Sequence, residues 1–176
     1  MSAVTEVPAG AVVRRAADTH ATWAVGGLFE RLLTSADTGG ALGLSVTTQL
    51  PGAATPLHVH SREAECFYVL DGTLTYRVGD HVARLTAGDL VWLPAGVPHA
   101  FRVTGDRPAR FLALTVPDGL LDLYDAVGTP ALDRRPPRPD EQPLPQQAGA
   151  WLAAAPDFGI TVVGPPLPPE DWAPED

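Results

Sequence analysis

Two stretches of this chain decide its fold: residues 52–72 read GAATPLHVHSREAECFYVLDG, and residues 88–99 read GDLVWLPAGVPH. In both, short apolar runs end in glycine, aspartate or proline, as at Asp71-Gly72 and at residues 94–96 (PAG). Asp-Gly and related pairs favour the positive φ angles of tight hairpin turns. The two stretches therefore indicate short antiparallel strands joined by turns.

The same alternation continues on both sides and predicts eight short strands. They cover residues 42–50, 56–60, 65–70, 73–78, 81–85, 90–93, 99–103 and 110–116. Short strands at close spacing, separated by Gly, Asp and Pro turns, are typical of an antiparallel sandwich or barrel. We therefore predict an all-β fold with its barrel in residues 37–117.

Other patterns flank this region. Residues 118–128 carry apolar side chains at positions 120, 123, 124 and 127, which predicts a helix with Asp118 as its N-cap and Gly128 as its end. Residues 28–33 (LFERLL) fit either a helical turn or the strand of an N-terminal arm spanning residues 23–33.

Proline is concentrated late in the chain, since 12 of the 19 prolines lie at or after residue 130. Residues 130–149 are therefore predicted to be an extended connector without a helix. A short helix at 150–155, a strand at 160–163 and a mobile or draped tail at 164–176 follow. We divide the chain into an N-terminal arm (1–36), a barrel (37–117), a capping helix (118–128) and a Pro-rich linker with a C-terminal extension packed on the barrel (129–176).

The composition excludes several classes of function. The 176 residues contain 12 basic side chains, all arginine, against 21 acidic ones, and the net charge of −9 argues against binding nucleic acid or anionic lipid. Without lysine there is no Schiff base and no phosphate-binding P-loop. The first ten residues have no apolar core, and no run approaches the ~18–20 apolar residues of a membrane span. We expect a cytoplasmic protein.

Three histidines and one glutamate lie in the predicted strands. His58 and His60 alternate along one strand, so that both imidazoles point to the same face. Glu65 opens the next strand, and His99 starts a later one. Three imidazoles and one carboxylate that converge inside a small barrel predict a site for one divalent transition metal ion, and the sequence leaves open whether it is Ni, Co, Mn, Fe, Cu or Zn.

Strand parity also suggests which side chains surround such a site. Phe67 is two residues from Glu65, and Phe101 is two residues from His99, so both phenylalanines are predicted to face the metal and a substrate. The helix at 118–128 would cap the barrel with Leu121, Leu123 or Tyr124 as further substrate contacts. An aromatic cavity of this kind suits a flat hydrophobic ligand.

Three other groups have simpler interpretations. Glu63 either orients a ligand histidine from behind the metal or lies solvated in a loop, and the sequence leaves both open. Cys66 follows Glu65 directly, so parity points it away from the metal, and we expect a small buried hydrophobe. His20 and His81 are predicted to lie on the surface.

The spacing of these residues resembles the cupin superfamily. Gly52, His58-Val59-His60, Glu65 and Gly72 match the first cupin motif at every fixed position, and Gly88, Pro94-Ala95-Gly96 and His99 match the second. The second motif normally ends in asparagine, where this chain has Val103. Residues 37–72 and 115–117, together with the late segments at 158–160 and 164–166, resemble bacterial monocupins of the quercetin dioxygenase-like group.

The resemblance implies a single double-stranded β-helix, or jelly-roll barrel, with His58, His60, Glu65 and His99 as metal ligands. It also implies a dioxygenase that opens a flavonol or similar enolic aromatic substrate with O2, with Glu65 as the base that takes the enol proton. A homodimer is expected by analogy.

Three other functions stay open. A metal-dependent cyclase or isomerase of an aromatic polyketide-type substrate would use the metal as a Lewis acid without O2. A non-catalytic small-molecule binder would use the cavity alone. A sugar epimerase or isomerase would call for a cationic cavity wall, which the sequence does not suggest.

Overall fold

The computed structural model describes residues 8–142 and 144–169. Within them are twelve strands: β1 His20–Ala24, β2 Gly27–Leu33, β3 Gly43–Gln49, β4 Pro56–His60, β5 Ala64–Asp71, β6 Thr73–Val78, β7 His81–Thr86, β8 Leu90–Leu93, β9 His99–Val103, β10 Ala109–Val116, β11 Thr129–Pro130 and β12 Ile160–Pro166. The helices in the same residues are α1 Ser35–Thr38, α2 Leu120–Val127 and α3 Leu144–Ala154, with 3-10 turns at Ala16–Asp18 and Ala155–Phe158.

The strands form two antiparallel sheets. One has the order β11-β1-β2-β3-β10-β5-β8 and the other the order β12-β4-β9-β6-β7. Buried side chains from both sheets, including Phe67, Tyr76 and Phe111, form one core cluster between them. The all-β jelly-roll prediction is confirmed, and each of the eight predicted strands agrees with β3–β10 to within one residue at either end.

The turn between β5 and β6 shows why a motif glycine is required. Gly72 has a φ of 84°, and a Cβ atom there would lie 2.7 Å from the Cα of Ala109 and from the carbonyl oxygen of Pro108. Any larger residue would combine backbone strain with a clash against main-chain atoms. This turn carries the chain from the first sheet into the second.

The N-terminal segment pairs within its own chain. Residues 28–33 lie in β2, so the strand interpretation is confirmed and the helical turn is wrong. β2 pairs with both β1 and β3. The long ladder with β3 explains the outcome, because an isolated helical turn would leave this edge of the sheet unpaired.

Two predictions about the C-terminal part were wrong. The connector predicted over 130–149 ends early, because α3 begins at Leu144. Pro145 is tolerated in the first turn of this helix, because N–H groups there make no intrahelical hydrogen bond and proline, which lacks an N–H, loses none. Residues 164–166, predicted to start a tail, belong to β12 and pair with β4. Residues 170–176 of the predicted tail lie outside the described residues.

The capping helix forms as predicted but begins differently. Gly119, and not Asp118, occupies the N-cap position of α2, and Gly128 ends the helix. Asp118 accepts hydrogen bonds from the Gly119 amide (2.9 Å) and from the hydroxyl of Ser35 (2.8 Å) instead.

α2 is attached to the first sheet by charge and to α3 by apolar packing. Arg31 of β2 forms ion pairs with Asp122 (2.6 Å) and with Asp125. Leu120 and Leu123 are buried against Trp151 of α3. In the described part of the chain, every helix is too short or too polar to traverse a lipid bilayer.

Candidate metal centre

The four predicted ligands lie together on the inner faces of the two sheets. His58 and His60 come from β4, Glu65 from β5 and His99 from β9, and one nitrogen or oxygen atom of each lies within 4.8 Å of the others. His58 and His99 are direct partners across the β4–β9 pairing. All four side chains are buried, with at most 6% of each residue exposed.

Main-chain carbonyls orient two of the three imidazoles. The Nδ1 atom of His58 lies 2.8 Å from the carbonyl oxygen of Pro56, and that of His99 lies 2.9 Å from the carbonyl oxygen of Val97. Because a carbonyl oxygen only accepts, each Nδ1 atom carries a proton and donates it. The Nε2 atoms are thereby directed toward the centre of the cluster, as metal-bound histidines require.

His60 is oriented differently. Its Nδ1 atom lies 3.6 Å from Oε2 of Glu63, and its Nε2 atom lies 3.4 Å from Oε2 of Glu65. Both ring nitrogens and Oε2 of Glu63 are buried without a hydrogen-bond partner among the described residues. Glu63 is only 4% exposed, so the solvated-loop interpretation is wrong, and this carboxylate lies directly behind His60.

Burial and mutual contact set the charge of the cluster. Burial, followed by the charge of His99, lowers the pKa of His58 to about 4, so its imidazole is neutral near pH 7. Burial would raise the pKa of Glu65, but the hydrogen bond from His99 and the charge of His60 outweigh it and lower that pKa. Burial would likewise lower the pKa of His99, yet its 3.0 Å hydrogen bond to Glu65 raises it.

These residues fit a transition metal ion. Buried polar atoms without partners cost free energy, and the unpartnered Nε2 atom of His60 faces the other three candidate ligands. Three imidazoles and a carboxylate are a donor set that first-row transition metals accept, which leaves the identity of the metal open. The cluster can thus hold one divalent ion in a buried, largely apolar setting.

The cluster opens into a cavity of about 610 Å³. Phe67, Phe101, Leu121 and Tyr124 all line it, where parity and the helix prediction place them. Leu123 is fully buried in the contact between α2 and α3 and is not part of the wall.

The residues predicted to lie away from the site do so, with one difference. His20 and His81 are exposed. Cys66 lies outside the cavity wall, but it is only half-buried, so the expectation of a fully buried hydrophobe was wrong.

Sequence reasoning missed several residues of the wall. Trp151 of α3 lies edge-on to His58 with ring centroids 6.1 Å apart. Tyr76 packs at a tilt against Phe67 and Phe101, and its buried hydroxyl has no hydrogen-bond partner in the described part of the chain. No local sequence pattern indicates that Trp151 lines the cavity, because α3 reaches the site only through tertiary packing. Ser45, Thr47 and Gln49 also line the cavity, and the alternation along β3 was the signal that could have found them.

Comparison with known proteins gives consistent matches. Residues 45–115 match the family model described as Cupin domain. Quercetin 2,3-dioxygenase from Bacillus subtilis is 37% identical over 79 residues, which cover 45% of this chain and 23% of that protein. Germin-like protein 5-1 from Oryza sativa is 31% identical over 109 residues, which cover 48% of this chain and 49% of that protein. This chain thus spans less than half the length of either relative.

A solved structure supports the fold. The crystal structure of a "predicted oxalate decarboxylase" from Thermotoga maritima superposes with a TM-score of 0.53 at 25% identity, covering 61% of this chain and all of that one. The double-sheet architecture and the spacing of both histidine motifs agree with the match of residues 45–115 to the cupin domain, and the fold is that of a cupin jelly roll.

Proposed function

We propose that this cupin is a metal-dependent dioxygenase that opens a flavonol or similar enolic aromatic substrate with O2, in the manner of a quercetinase. The observation that carries the proposal is the buried cluster of three histidines and Glu65 in the wall of a roomy, mostly apolar cavity. The similarity to quercetin 2,3-dioxygenase over 79 residues supports the substrate class.

The cavity wall favours an uncharged, flat ligand. Phe67, Phe101 and Phe111 contribute ring faces to it, with centroids 5.4–6.4 Å apart. Among the described residues that line the wall, none is arginine, and the chain has no lysine. A sugar phosphate or another anion would find no cation there, so the sugar isomerase alternative lacks support.

His58, His60, Glu65 and His99 would hold the ion, and a bound ion of this kind supplies Lewis-acid or redox activation at its open positions. Glu65 is the one carboxylate among the described residues of the cavity wall. It is therefore the group that takes the proton of an enolic hydroxyl. Phe67, Phe101, Leu121 and Tyr124 enclose the ring system of the substrate and keep bulk water away from it.

The test combines metal analysis with oxygen uptake. The purified protein is expected to contain about one transition metal ion per chain, to consume O2 when a flavonol is added and to bleach the flavonol absorbance band. The His58→Ala variant should lose metal and activity together, whereas His81→Ala, an exposed histidine on β7, serves as the matched control and should keep both.

Two results would contradict the proposal. Metal-loaded protein that neither consumes O2 nor bleaches any flavonol is not a quercetinase. Conversion of an enolic substrate under strictly anaerobic conditions would instead favour the cyclase or isomerase, which uses the same cluster only to stabilise an enolate.

A further inference from the structure

One wall of the cavity carries polar side chains in regular alternation. Ser45, Thr47 and Gln49 follow each other at every second position of β3, and all three face the cavity. Their exposed fractions are 0%, 2% and 5%, so they are buried as deeply as core residues. We call these three residues the β3 polar stripe.

The neighbouring strand shows how unusual this wall is. At the same levels, β10 places Ala113 opposite Ser45, Phe111 opposite Thr47 and Ala109 opposite Gln49. A barrel interior filled only for stability would carry apolar side chains on β3 as well. The polar side chains at three consecutive inward positions of β3 therefore need hydrogen-bonding partners.

The protein itself supplies few partners to the β3 polar stripe. The hydroxyls of Ser45 and Thr47 lie 3.3 Å from each other. The Oε1 atom of Gln49 is buried without a hydrogen-bond partner among the described residues. The Gln49 carboxamide packs directly against Gly27, where a Cβ atom would lie 2.4 Å from the amide nitrogen. The glycine therefore makes room for the carboxamide. A buried acceptor without a donor is costly, and a donor brought by a ligand would remove that cost.

The stripe starts next to the metal cluster. Gly43 of β3 pairs with Thr115, and Thr115 pairs with Glu65, so Ser45 lies two residues from the level of Glu65. At a rise of about 3.3 Å per residue, the stripe extends about 13 Å from Ser45 to Gln49. This distance is comparable to the long axis of a three-ring aromatic molecule.

We propose that the β3 polar stripe binds the oxygen substituents along one edge of a flat, polyhydroxylated aromatic ligand, while the phenylalanines contact its faces. Gln49 accepts a hydrogen bond from a ligand hydroxyl at the end remote from Glu65, and the hydroxyls of Ser45 and Thr47 exchange hydrogen bonds with oxygens nearer to it. The inference deepens the proposed function, on which it rests for the anchoring of the ligand at the metal.

The test compares quercetin with 3-hydroxyflavone, which shares its three rings, its 3-hydroxyl and its 4-carbonyl but lacks the remaining hydroxyls. Dissociation constants are measured by quenching of tryptophan fluorescence under anaerobic conditions, with the whole 176-residue chain as purified and after chelation of its metal. The wild type should bind quercetin about tenfold more tightly than 3-hydroxyflavone in both forms, as one or two buried hydrogen bonds allow.

The variants Thr47→Val and Gln49→Leu should each reduce this preference about three- to tenfold while leaving the affinity for 3-hydroxyflavone within twofold. Thr48→Val is the matched control, because Thr48 lies on the same strand with its side chain on the opposite face. The inference is overturned if the wild type binds the two compounds equally or binds neither. It is also overturned if the variants lose affinity for both compounds to the same extent. A preference that depends on the stripe, together with an absence of oxygen uptake, would leave it standing and refute the dioxygenase instead.

Discussion

Glu63 offers the sharpest test of how the metal centre is built. Main-chain carbonyls fix the rings of His58 and His99, so side-chain substitution cannot remove those contacts. Among the described residues no carbonyl accepts from Nδ1 of His60, and the buried Glu63 carboxylate lies 3.6 Å from this atom. Replacement of a group that orients a ligand histidine costs about 10–100-fold in metal affinity.

The two substitutions at this position differ in what they retain. Glu63→Gln keeps an oxygen that can accept from His60 and should weaken metal binding about tenfold, or about 1.4 kcal/mol. Glu63→Leu removes the acceptor and should weaken it about 100-fold. In the metal-free protein, by contrast, Glu63→Leu should leave the free energy of unfolding unchanged or raised, because it replaces a buried carboxylate oxygen that has no hydrogen-bond partner in the residues the structure describes.

Competition against a chromophoric chelator of known affinity measures the first effect, and urea unfolding of the chelated protein measures the second. Glu30→Gln, on β2 and paired with Arg134, controls for the loss of one negative charge. If Glu63→Leu binds metal as tightly as the wild type, Glu63 does not orient His60. If Glu63→Leu unfolds the metal-free protein, the carboxylate stabilises the fold itself and does not serve only to orient His60.

Three further predictions concern the rest of the molecule. Leu123→Ala should lower the free energy of unfolding in urea by about 3 kcal/mol, because Leu123 is fully buried between α2 and α3. Hydrogen bonds from the Arg135 side chain lower the pKa of Glu141 from 4.5 to about 2, so the ionised carboxylate stabilises the fold. In melting curves, Glu141→Gln should therefore destabilise the protein fully above about pH 5, and this difference from the wild type should disappear as the pH falls toward 2. If the chain dimerises through the outer face of its seven-stranded sheet, where Trp92 is 49% exposed, Trp92→Glu should give monomers by light scattering.

The barrel and its ligands could be predicted from the sequence because both depend on local rules. Turn residues delimit each strand, and parity along a strand assigns His58 and His60 to one face without knowledge of the partner strands. The assignment of Glu65 and His99 to the same site rested on the resemblance to the two cupin motifs. The register His58–His99 is set by the tertiary structure, and the sequence alone did not specify it.

The features that escaped prediction depend on long-range packing. Glu63 is buried because the start of α2 covers it: a Cβ atom added to Gly119 would lie only 3.2 Å from its carboxylate. α3 forms in a proline-rich segment because Trp151 gains apolar contacts with α2, which outweigh weak local propensity. In both cases the deciding partner is far along the chain, so local patterns carried no sign of it.

The pairing of His58 with His99 has a consequence for local stability. It is the shortest strand pairing described in the five-stranded sheet, a single residue pair, and β12 is attached to that sheet through β4. The other main-chain bonds on this side of β9 precede β4, from Ala53 and Thr55 to Val103 and Phe101, so a cation held by both imidazoles would cross-link the two strands at the end where their pairing stops. Chelation should therefore speed amide hydrogen exchange first in β4 and β12. These two strands would then unfold locally well before the molecule as a whole unfolds.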